Sequence, residues 1–180
     1  MLFNCLVTVG SVFLCLLLLP MRLPGMELLG IAPNWLLIWV VAWSVKRSVW
    51  QGAIAGLVLG LLQDGMTSPV PTHSISLAMV GILTARLQKQ RYIKEDFISI
   101  ALIVFGMALL AETLMALEFG FVSNFFPDPD RTGFNLTEWR YYQRVALASA
   151  IASSLWAPVL YYPLNRWWQG VKSGESPFKL

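Results

Sequence analysis

The sequence predicts an all-α integral membrane protein with six transmembrane helices, and three observations lead there. Of its 180 residues, 57% are hydrophobic and 13% are charged, whereas a soluble domain carries about 25% charge; mean hydropathy is +0.63. Six apolar runs follow one another, too long and too many for the single globular core that this length allows. Within the third run, Gly52, Gly56 and Gly60 recur at four-residue spacing, the pattern that lets membrane helices approach closely.

The first span is read at 2–19 and closes at Pro20. It lacks the basic start of a secretory signal, its first Lys or Arg being Arg22, and no small-x-small cleavage site follows. It is therefore expected to be retained. Both cysteines, Cys5 and Cys15, lie in it. Ten residues separate them by about 15 Å along one helix, too far for a disulfide, so they read as buried thiols.

The second span is placed at 28–45, with Pro33 near its start, where proline is tolerated. The third and fourth, 49–63 and 74–87, are short: about 21–22 Å each against a hydrocarbon core of about 30 Å. They flank a linker, 64–73, that carries Pro69 and Pro71. Irregular backbone at membrane depth survives only when protein or a watery cavity covers it. A linker dipping into the membrane or a locally thinned bilayer would both fit. The fifth span is 97–119, and the sixth 144–164, with Pro158 as the expected kink. The composition of 170–180 reads as a flexible tail.

Basic residues set the orientation. With the N-terminus inside, Lys46, Arg47, Arg86, Lys89, Arg91, Lys94, Arg166, Lys172 and Lys179 fall on the inner side; Arg22, Arg131, Arg140 and Arg144 fall outside. The bias favours both termini in the cytoplasm. The net charge of +3 then reflects inner loops and contact with the lipid bilayer, and no nucleic-acid partner is expected. The outer loop 120–142 holds the turn cluster Pro127–Asp130, and Asn135 to Glu138 reads as a capping box. Trp139, Tyr141, Tyr142, Trp167 and Trp168 fall where interfacial aromatics belong.

Few residues carry chemistry. The glycine stripe supports packing, either within the bundle or against a separate protein. Glu112 lies inside the fifth span, where an ionised acid costs about 2.5–3.5 kcal/mol at the membrane centre. Arg144, at the start of the sixth span, is the best-placed cation, and Asp64 is in a position to share it. The expectation is a cluster of Glu112, Asp64 and Arg144 near the outer face: a structural clamp, a proton relay or a ligand site. His73 is the sole histidine and has no cysteine near it in sequence, so neither a metal nor a cofactor is expected. Ser74 and Ser76 lack a positioned base. No P-loop, dinucleotide fingerprint or HExxH occurs, so no catalytic residue is assigned.

Pro33-Asn34-Trp35 opening an apolar helix, Gly56 and Gly60 leading to Asp64, and the following LAMVGILTARL together resemble the MreD family of bacterial rod shape-determining membrane proteins. One departure is that Pro71, Thr72 and His73 stand where the family usually has a glycine; the outer loop is also long. The resemblance implies a fold similar to the substrate-binding S-components of energy-coupling-factor vitamin transporters. It implies a non-enzymatic scaffold of the cell-elongation machinery in the bacterial inner membrane. Its implied partner is an MreC-like bitopic protein, linking MreB filaments to peptidoglycan synthesis by RodA and a penicillin-binding transpeptidase. Pro33, Asn34, Gly52, Gly56, Gly60 and Asp64 are the expected packing or partner residues, and leucine at Gly56 and Gly60 should weaken assembly more than insertion. The competing reading is a solute-binding S-component, which fold similarity alone does not establish.

Overall fold

The computed structural model describes residues 2–21, 25–67, 73–89, 97–125 and 136–172. Their regular structure is helical: α1 (Leu2–Leu18), α2 (Trp35–Ser44), α3 (Val49–Thr67), α4 (His73–Lys89), α5 (Phe97–Phe125) and α6 (Leu136–Lys172).

Helix α2 is the axis of the molecule. Its sequence, WLLIWVVAWS, is apolar on every face, and a helix of that kind must be covered all round. Residues 35 to 42 are all buried, and the other five helices pack around them. Only ten residues of the expected 28–45 span are regular helix, about 15 Å of it. The chain leading in is irregular. Leu28 and Ile31 exchange both backbone hydrogen bonds across a two-residue turn, in which Leu29 (φ 56°) and Gly30 (φ 78°) are left-handed. Proline explains part of this: the residue before Pro33 is kept out of helical conformation, and the helix starts only after Asn34. Asn34 caps it, accepting a hydrogen bond from the Leu37 amide at 3.1 Å.

Helices α3 and α4 form the closest pair, an antiparallel hairpin. A Cβ on Gly52 would meet the Gly81 carbonyl oxygen; on Gly56 it would overlap the Leu77 carbonyl, and on Gly60 the Ser74 backbone. The stripe on α3 thus fits the backbone of α4, and Gly81 returns the contact against Gly52. The helices have 19 and 17 residues, about 28 and 25 Å. They are longer than the sequence spacing suggested, because α3 continues through Asp64 to Thr67 and α4 already starts at His73.

Helices α5 and α6 form a second antiparallel pair, and α6 runs through both Pro158 and Pro163. Phe97–Glu118 and Tyr142–Trp168 are long and apolar enough to cross a membrane. Only 28% of the Phe97–Glu118 stretch is buried, so it is unlike the core helix of a soluble protein. Ile98, Leu102, Leu117, Leu155 and Val159 stand exposed along these two helices, as a lipid-facing surface requires. Helix α1 packs chiefly on α2, with the Trp39 indole donating to Ser11 Oγ at 2.9 Å. The expected turn cluster at 127–130, the N-cap at Asn135 and the tail from 173 onward lie outside the described residues.

Candidate functional site

Polar side chains gather where α3 turns into α4. Asp64 is one turn from the end of α3 and is buried. Its Oδ1 accepts the backbone N–H of His73 at 2.9 Å, and its Oδ2 accepts that of Ser74 at 3.1 Å. The first amides of a helix lack intrahelical partners, and the positive end of the helix dipole favours an anion there. Asp64 therefore caps α4 from the neighbouring helix. The His73 imidazole closes the arrangement, with Nδ1 2.8 Å from Oδ1. Because Gly60, one turn earlier, brings α3 against the Ser74 backbone, the carboxylate reaches both amides.

The neighbouring helices add to this cluster. Ser149 on α6 hydrogen-bonds Glu112 on α5, and His73 lies within electrostatic reach of that carboxyl. Glu118, further along α5, feels both Asp64 and His73. Its Oε2 is buried with no hydrogen-bond partner among the described residues, as is Oε1 of Glu27. One turn beyond Ser149, Ser153 accepts the Asn34 backbone N–H at 2.9 Å. Thus two buried serines, four residues apart on one face of α6, tie that helix to α5 and to the start of α2.

Each expected residue has a definite place. Asp64 and Glu112 stand near the same histidine. Arg144 is exposed, and among the described residues no ion pair joins it to either acid. Pro33 is buried beside the α2 cap, and Gly52, Gly56 and Gly60 face α4. Sequence reasoning missed His73 as the partner of Asp64, and also Ser149, Ser153 and Glu118. One signal for His73 was present: an acid and an imidazole at the two ends of a short proline-containing stretch of sequence are brought together once the flanking helices pair. The ASAIASS run of small residues held the two serines. Among the described residues no group of three or more His, Cys, Asp or Glu side chains is arranged to hold a metal ion.

The chemistry of this arrangement is that of bracing. Asp64 has both oxygens on backbone amides, and Glu112 and Asn34 each bridge helices through a serine. A family model for the rod shape-determining protein MreD matches residues 1–164. The chain belongs to the MreD family. That match takes in all of α1 to α5 and α6 up to Leu164. Neither the curated proteins nor the solved structures compared with the chain give a match. The family makes this a membrane protein of cell-shape determination, a structural role rather than a known enzymatic one. The MreD assignment also gives the exposed apolar faces of α5 and α6 their solvent, the lipid.

Proposed function

We propose that this chain is a six-span scaffold of the bacterial inner membrane, with both termini in the cytoplasm, that recognises a bitopic MreC-like protein and thereby supports peptidoglycan synthesis at sites of cell elongation. MreB, RodA and a penicillin-binding transpeptidase enter through that partner. The observation that supports it best is how the interior polar groups are used. Asp64 holds the start of α4, Ser153 holds the start of α2, Ser149 holds Glu112, and Ser11 holds Trp39. Each joins one helix to another, as a body that presents a fixed outer surface needs, and the surface is broadly apolar. The glycine stripe, once a possible partner surface, is engaged within the α3–α4 hairpin, so recognition belongs to other faces.

Co-expression with an MreC-like protein from the same source tests this. The expected result is a complex that survives detergent purification. Photo-crosslinkers at Leu61, Leu102 and Leu155, exposed on α3, α5 and α6, should capture the partner from one face and not from all three. Absence of a complex in both membranes and detergent would overturn the scaffold reading. The cluster of Asp64, His73, Glu112 and Glu118 is what favours a second reading, a solute-binding S-component. A stoichiometric small molecule released on denaturing the purified protein would support that one instead.

A further inference from the structure

Helices α1, α2 and α3 leave an open groove of about 420 Å³ between them. Thr8, Val9 and Val12 form one wall, Ile54, Val58 and Leu62 the other, and the indoles of Trp39 and Trp43 the floor. Ile54 and Val58 are about half exposed along it, and Val9 more so. From Gln51 to Leu62 the groove follows α3 for about 16 Å, the depth of one leaflet in a hydrocarbon core of about 30 Å. A partner's membrane-spanning helix would have to run twice that length.

Basic residues stand beside the Trp43 end of the groove, outside its lining. Trp39 and Trp43 stack at 5.3 Å, and the Arg47 guanidinium continues the column 4.3 Å above Trp43. These residues are four apart, so one face of α2 and the turn after it carries indole, indole and cation in a ladder. Among the described residues Arg47 pairs with no carboxylate; its partner is the ring. Lys46 is adjacent, and Gln51 lines the same end of the groove. An apolar slot about one leaflet deep, with a guanidinium seated on one of its lining indoles, matches one kind of molecule in a membrane.

We propose that this groove holds a single anionic phospholipid, with an acyl chain between α1 and α3 and its phosphate on Arg47. Basic pockets between membrane helices select anionic headgroups, each cation contributing a modest factor. The headgroup gives the preference and the groove gives the hold.

Native mass spectrometry of the full chain, delipidated in detergent, tests the site with phosphatidylglycerol and phosphatidylcholine of identical chains. One phosphatidylglycerol should bind per chain, about fivefold more tightly than phosphatidylcholine. R47Q should bring the two lipids to equal affinity without abolishing binding. V58W, which fills the slot from an exposed position, should abolish binding of both with helicity unchanged by circular dichroism, and A55L, a smaller filling, should weaken both. Equal binding of the two lipids by the native chain would overturn the proposal, as would undiminished binding by both V58W and A55L. A diazirine at Ile54 that captures a second polypeptide in membranes, rather than lipid, would overturn it too.

Discussion

Asp64 holds the first two amides of α4, and its removal should be felt there. D64A leaves the His73 and Ser74 N–H groups buried without an acceptor, and hydrogen bonds to a charged group are worth about 1.5–3 kcal/mol. Thermal unfolding in detergent should show a loss of about that size, with D64N losing less because one amide oxygen still accepts. Glycines make a sharper contrast. A Cβ at Gly56 overlaps the Leu77 carbonyl, backbone against backbone, so neither side can move aside as a side chain would. G56A should cost about 1–3 kcal/mol, as overpacking does. G106A meets open space in the middle of α5 and should be neutral or stabilise by up to about 1 kcal/mol. Leucine at Gly56 and Gly60 is therefore expected to break the hairpin itself, which revises the expectation that assembly would suffer more than insertion.

At the scale of the element, the stretch before α2 shows how an irregular segment is held inside a helical membrane protein. Gly25, Leu29 and Gly30 take left-handed conformations, which cost a non-glycine residue about 1–2 kcal/mol. Glycine avoids that cost; Leu29 bears it, and it is 87% exposed, so packing returns little. L29G should raise the unfolding midpoint, with a gain of about 1 kcal/mol; no gain would mean that the Leu29 side chain has a partner in the membrane. The α3–α4 hairpin depends on the opposite device. There the backbones touch because side chains are missing, and Asp64 on α3 accepts the first amides of α4.

For the whole molecule, α2 is enclosed by the other helices while α5 and α6 turn much of their apolar surface outward. That inside-out distribution belongs to a protein whose solvent is lipid. The proposed orientation has a direct check. Alkaline phosphatase fused at residue 180 should be inactive, and the same enzyme inserted near residue 130 should be active, since it folds only outside the cytoplasm. The reverse pattern would invert every basic residue assigned to the inner side.

Composition and run length by themselves determined that the chain is helical and membrane-embedded: in lipid the backbone must close its hydrogen bonds within helices or a barrel, and long unbroken apolar runs, unlike alternating barrel strands, select the helix. The glycine spacing determined that α3 packs closely, and motif order pointed to the family. Tertiary structure alone decided which surface the glycines meet, since a stripe of small residues is equally suited to any backbone. It also decided the pairing of the acids. Charge and expected position at the start of the sixth span favoured Arg144, but the hairpin brings His73 and two amides to Asp64, and α6 brings Ser149 to Glu112. Hydrogen bonds in a membrane interior follow from which helices become neighbours, and that depends on the packing of all six together.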